Sequence, residues 1–192
     1  MDSSWQQIKQ TIVKEFSDIG DIEQATSLVV RLTVAAVLGG LLGLEREQKG
    51  KAAGVRTHMM VAMGSALFLL VSQQAGIVAA DISRVVQGLV AGIGFLGAGA
   101  ILKGHNEEKV QGLTTAAGIW MTAAIGMAAG LGLEVTAVIS TLLALVTLSL
   151  VPWLVDWMEK PAKEASTLKN SDVSGDRRAI FPWPDRRARA CA

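Results

Sequence analysis

Two short blocks hold most of the side chains in this 192-residue chain that could do chemistry. Glu45-Arg46-Glu47 closes one apolar run, and Arg56-Thr57-His58 opens the next. Carboxylates at one helix end facing guanidinium groups at the next helix start would form a charged cluster at a membrane surface. The plainer use of the same residues is anchoring at the membrane boundary, and composition alone favours it. A third block, Gly112-Leu113-Thr114-Thr115, begins another apolar run. Its hydroxyls can cap a helix or bond across to a neighbouring one. Arg31 lies about two turns into the first run, where it either snorkels to the outer interface or pairs with a polar group in a bundle.

Soluble-type catalysis has no framework in these residues. H-E-x-x-H and the nucleophile elbow are absent, and His58 and His105 are expected in two different loops. Gly92-Ile-Gly94-Phe-Leu-Gly97 spells G-x-G-x-x-G, but it sits in the middle of an apolar run. A dinucleotide site needs a preceding strand and a following acidic residue, so the match is accidental. Cys191 is the only cysteine, which removes any disulfide or cysteine-based metal site within one chain. The expectation is a non-enzyme with no resident cofactor and no metal site.

The elements that carry these blocks are five apolar runs, at about Ala25–Leu44, Met59–Ala79, Arg84–Leu102, Leu113–Leu133 and Val135–Val155. Each has roughly the 20 residues needed to cross a hydrocarbon core about 30 Å thick. Hydrophobic residues make up 51% and charged ones 18%, the charges crowding into the loops and ends. A soluble chain of this length has no interior that could hide five such helices, so the solvent must be lipid. Only helices satisfy their own backbone there. The fold class is therefore all-α, a polytopic membrane bundle of five transmembrane helices.

Ahead of the first run, Trp5, Ile8, Ile12, Phe16 and Ile19 recur at helical steps. Residues 1–24 form either a surface-lying amphipathic helix or a frayed tail. Their acidic residues do not fit a cleavable signal peptide, so the first run is expected to be an uncleaved anchor. Residues 25–157 make the membrane domain, with Trp120 packed inside and Trp153 and Trp157 at an interface. Residues 158–192 mix charges with Ser, Gly and Pro, show little periodic apolar content, and are expected to be a disordered tail.

Fourteen of the eighteen Lys and Arg residues fall in the first loop, the third loop and the tail. The positive-inside rule then places the N-terminus outside and the C-terminus in the cytoplasm. A net charge of +1 offers no bulk attraction to nucleic acid.

Glycines four apart, at Gly39 and Gly43, Gly88 and Gly92, and Gly126 and Gly130, let helix backbones approach closely. The expected contact surface for a second copy or a membrane partner uses Gly88, Gly92, Gly94, Gly97 and Gly99, with Thr114 and Thr115 beside it. No span contains Asp or Glu, the ligands that a dehydrated Mg²⁺ generally wants. A rival reading, a transporter or channel for Mg²⁺ or another small solute, would have to route a wet path past Gln87, Thr114, Thr115 and Thr122.

Four blocks in order resemble the MgtC/SapB family of bacterial inner-membrane proteins. They are Leu38-Gly-Gly-Leu-Leu-Gly-Leu-Glu45-Arg46-Glu47, Ala53-Gly-Val-Arg56-Thr57-His58, Gly92-Ile-Gly94-Phe-Leu-Gly97-Ala-Gly99, and Gly112-Leu-Thr114-Thr115-Ala-Ala117 with Trp120. The resemblance runs from about Arg31 to Leu148. It implies a regulator of adaptation to low magnesium and acid, linked in pathogens to survival inside macrophages and so to virulence. It also implies action through a membrane partner such as the F-type ATP synthase. Its motif residues fall on Glu45, Arg46, Arg56, Thr57, Gly94, Gly97, Gly112 and Thr114. Two departures stand out. The tail is too short and polar for the ACT-like domain of many virulence-type members. Gln111 also stands where members often have Arg, and the acidic residue of that loop is displaced to Glu107 or Glu108.

Overall fold

The computed structural model describes residues 2–15, 17, 20–103 and 110–180. They form α1 (Asp2–Glu15), α2 (Ile22–Gln48), α3 (Val55–Gln74), α4 (Ala79–Ala100), α5 (Leu113–Gly130) and α6 (Glu134–Ile180). Between α4 and α5, β1 (Leu102–Lys103) and β2 (Val110–Gln111) make one short antiparallel pairing, Leu102 opposite Gln111. Five helices are long and apolar enough to cross a membrane: Ile22–Gln48, Val55–Gln74, Ala80–Ala100, Leu113–Gly130 and Glu134–Val155.

The chain divides into two compact units, Met1–Leu145 and Val146–Ala192. In the first, α2, α3 and α5 pack against one another, and α4 lies against α5 and α3. The core is made of small and branched residues: Ala35, Leu38 and Leu42 from α2, Ala62, Ala66 and Leu69 from α3, and Ile119, Ala123, Ile125 and Ala129 from α5. Two glycine pairs set the spacing. A β-carbon on Gly39 would lie 2.7 Å from the His58 carbonyl oxygen, and one on Gly130 would lie 2.6 Å from that of Ala66. Gly126 sits hard against the Ala62 carbonyl. Without side chains at these points the backbones meet directly, and dispersion between them replaces the hydrophobic drive that lipid does not supply.

The helix ends differ from the apolar runs for local reasons. Asp21 accepts from the Gln24 N–H at 2.7 Å and starts α2 three residues before the expected Ala25. α3 starts at Val55 rather than Met59, because Glu47 Oε2 of the preceding helix accepts the Val55 N–H at 2.9 Å. The first turn of α4 takes in Asp81, whose carboxylate lies 3.7 Å from Arg84 in the next turn, so that helix also begins early. α3 and α5 stop before Ala79 and Leu133, at Schellman turns. Gly76 (φ +70°) and Gly132 (φ +79°) supply the left-handed residue, and the Ile77 and Leu133 N–H groups close on the Ser72 and Ala128 carbonyls.

α1 matches the expected amphipathic segment in position, with Trp5, Ile8 and Ile12 exposed on its surface; Phe16 and Ile19 lie outside the described residues. Trp120 is half exposed rather than packed inside, because it lies about 200° round α5 from the buried Thr122. In the second unit helix continues to Ile180, where an unstructured tail was expected from 158. Ala, Glu and Lys, strong helix formers, follow Trp157 and sustain it. Residues 181–192 lie outside the described residues.

Candidate functional site

The α2–α3 connection gathers the polar blocks, though not as a ring of carboxylates facing guanidinium groups. Arg46, 3% exposed, pairs through Nε with Glu45 Oε2. Lys49 Nζ holds the other Glu45 oxygen at 2.6 Å. Glu45 is thus neutralised on its own helix, while Glu47 serves as the α3 cap. Arg56 and Thr57 point outward from the first turn of α3. The expected six-residue cluster therefore splits, with Arg56 and Thr57 outside it.

His58 is the larger departure. It was expected in a loop, yet it lies in the first turn of α3 and is 0% exposed; His105 lies outside the described residues. His58 Nδ1 and Thr122 Oγ1 of α5 are 2.7 Å apart, and Thr122 donates to the Gly118 carbonyl at 2.9 Å. With its one proton committed to Gly118, the Thr122 hydroxyl accepts from Nδ1–H, which leaves Nε2 as a bare acceptor. Nε2 is buried and has no hydrogen-bond partner among the described residues. Gly118 makes the space: its β-position lies 3.5 Å from His58 Cε1 and 3.9 Å from Arg46 Cδ. Arg46, His58 and Thr122 thus form one buried polar core joining α2, α3 and α5.

Thr122→Val leaves both imidazole nitrogens unsatisfied while keeping the side-chain shape. It should cost about 1–3 kcal/mol. Thermal unfolding in detergent reads this directly, and an unchanged midpoint would remove the bond from the account. Sequence reasoning missed the pairing, yet a signal was present. Thr115, Ile119, Thr122, Gly126 and Ala129 recur at three- and four-residue steps along one face of α5.

At the opposite helix ends, Arg31 takes the second of its two expected roles. Its Nη1 donates to Gln73 Oε1 at 3.1 Å and to the Gly130 carbonyl at 3.2 Å, and its Nε lies 3.9 Å from Glu134.

The glycine-rich face of α4 needs correction. Successive helix residues turn by about 100°. Gly88, Gly92 and Gly99 therefore share one side, while Gly94 lies about 200° round from Gly92. Gly97 is buried and faces α5, its β-position 3.6 Å from Ala116 Cβ. Thr115 is also buried, and only Thr114 remains at the surface. No described residue lies within 4 Å of a β-carbon placed on Gly88, Gly92, Gly94 or Gly99. Beside Gly88 and Gly92, an apolar groove of about 470 Å³ runs between Phe68 of α3 and Val85, Leu89, Ile93 and Leu96 of α4. The four residues named for a wet path do not converge. Gln87 is exposed on α4, Thr122 is bonded to His58, and Thr114 and Thr115 line a separate pocket. Among the described residues no three His, Cys, Asp or Glu side chains form a metal-holding group.

Among the described residues, five helices long and apolar enough to cross a membrane, three of them packed about a small-residue core with buried polar pairs, define a multi-pass helical membrane protein. Residues 32–157 match the MgtC family, and the chain belongs to that family, the MgtC/SapB group expected from its motifs. It is 45% identical to protein SrpB of Synechococcus elongatus, covering 73% of this chain and 87% of that one. It is 42% identical to YhiD of Escherichia coli K12, named as a candidate magnesium transporter, over 62% of this chain and 58% of YhiD. Protein MgtC of Brucella abortus is 43% identical, over 67% of this chain and 52% of its own length. The chain thus spans most of SrpB but little more than half of the other two. No solved structure matches it.

Proposed function

We propose that this protein acts without enzymatic chemistry, as a membrane-embedded regulator of adaptation to low magnesium or acid. In this reading it works through helix contacts with a membrane partner, such as the F-type ATP synthase, or with a second copy. It sits in the bacterial inner membrane with the N-terminus outside and the C-terminus in the cytoplasm. The observation that carries the reading is the open side of α4: no described residue lies within 4 Å of a β-carbon on Gly88, Gly92 or Gly99, and Gly88 and Gly92 line an apolar groove. Glycine at such positions is what a second helix needs for close approach. The absence of carboxylates from the apolar stretches supports regulation over cation transport.

Gly92→Leu tests it. A β-carbon there meets no described residue within 4 Å, so the bundle should melt close to the unsubstituted one. Photo-cross-linking in native membranes should fall at least about tenfold, as a blocked small-residue seam requires. Undiminished cross-linking would overturn the assigned surface. Saturable Mg²⁺ flux through the purified protein in liposomes would overturn the regulatory reading in favour of transport.

A further inference from the structure

Helix α1 has no part in the α4 surface, yet its residues are sorted by polarity. At about 100° per residue, Trp5, Ile8 and Ile12 fall within an arc of about 60°, and Val13 widens that stripe to about 140°. Gln7, Gln10 and Lys14 occupy the opposite side. Every residue from Ser4 to Glu15 is exposed, so the described residues leave the stripe largely uncovered. A free 14-residue helix is marginal in water, and most helical stability comes from covering such a face.

Position, side-chain chemistry and charge together say what covers it. α1 ends at Glu15 and α2 begins at Ile22, the start of a helix apolar enough to cross a membrane. The connection between them reaches at most about 25 Å, so α1 stays within range of the headgroups where α2 enters. The Lys9 ammonium rests 5.7 Å from the centre of the Trp5 ring, a cation–π contact inside the apolar stripe. An indole and a long ammonium side chain both bury an apolar body and keep a polar tip at the headgroups. Charge attraction does not hold the segment there, because residues 1–24 carry five acidic side chains against Lys9 and Lys14. An anionic surface would repel it, so burial of the apolar stripe has to supply the binding.

We propose that α1 lies flat on the leaflet at which α2 begins, its Trp5, Ile8, Ile12 and Val13 stripe sunk among the upper acyl chains and Lys9 at headgroup level. The surface it fits is zwitterionic lipid, not anionic lipid and not a protein groove. This contact is separate from the α4 surface and does not depend on it.

The test uses the full-length chain in liposomes, with Cys191→Ser removing the native thiol and a nitroxide placed by Ile8→Cys or by Gln10→Cys. The two positions lie about 200° apart on α1. In phosphatidylcholine the Ile8 probe should collide with dissolved oxygen and read a depth of about 5–10 Å, while the Gln10 probe should collide with a water-soluble nickel chelate. Ile12→Cys and Lys14→Cys repeat the contrast, so a single perturbing label does not decide the outcome. Adding phosphatidylglycerol should leave the depths unchanged. Equal nickel access at Ile8 and Gln10 overturns the proposal, as does an Ile8 probe closed to both reagents, which would mean a protein on this face. Insertion that requires phosphatidylglycerol overturns it too, by assigning the binding to charge. None of these outcomes alters the α4 cross-linking result, so the two readings fail separately.

Discussion

Gly126→Ala should destabilise the bundle by about 3 kcal/mol, at the upper end for an overpacked interior. The added methyl would land on the Ala62 carbonyl oxygen, which belongs to the backbone and cannot rotate away. Relief would require α3 and α5 to separate, and that would open the contacts of Ala66, Ala123 and Ala129 as well. The matched control is Gly88→Ala, made at the same four-residue spacing but facing open space. There the substitution should be neutral or stabilising by up to about 1 kcal/mol, the ordinary helix advantage of alanine. Thermal unfolding in detergent, followed by circular dichroism, separates the two. Equal midpoints for both variants would sink the assignment of Gly126 and Gly130 to the inner seam.

Arg46→Met should cost about 2–3 kcal/mol, slightly below the usual penalty for stranding one member of a buried pair. Glu45 is only 11% exposed, so loss of the guanidinium leaves a carboxylate largely out of water with Lys49 as its remaining partner. The penalty arises from the orphaned charge rather than from the value of the pair itself. The double variant Glu45→Gln with Arg46→Met should therefore regain at least half of the loss. A double variant as unstable as the single one would show instead that the Arg46 side chain matters for its packing beside His58 and Gly118.

The spans were legible because each needs only length and apolarity, and the structure places all five. Their ends were not, because a cap can come from elsewhere: nothing in Val55–His58 announces that Glu47 of another helix will satisfy the first amide. That one contact moves His58 from an expected loop into the core. The glycine pairs show the same limit more sharply. Gly126 and Gly130 pack between helices while Gly88 and Gly92 do not, yet the four-residue spacing is identical. Spacing reports that a helix has a narrow face, not what lies opposite it. The buried Thr122 could be read only from the inward stripe of α5, and Arg31 had two possible destinations until Gln73, Gly130 and Glu134 were placed around it.

The surroundings of Arg31 carry an electrical consequence. A lone cation moved across a polarised bilayer exchanges about 2.3 kcal/mol per 100 mV with the field. Here the guanidinium lies opposite the Glu134 carboxylate and is fastened to a backbone carbonyl, so the pair is a small fixed dipole with zero net charge. A membrane voltage therefore has no free gating charge to pull on at this position, and Arg31 is a fastener rather than a sensor.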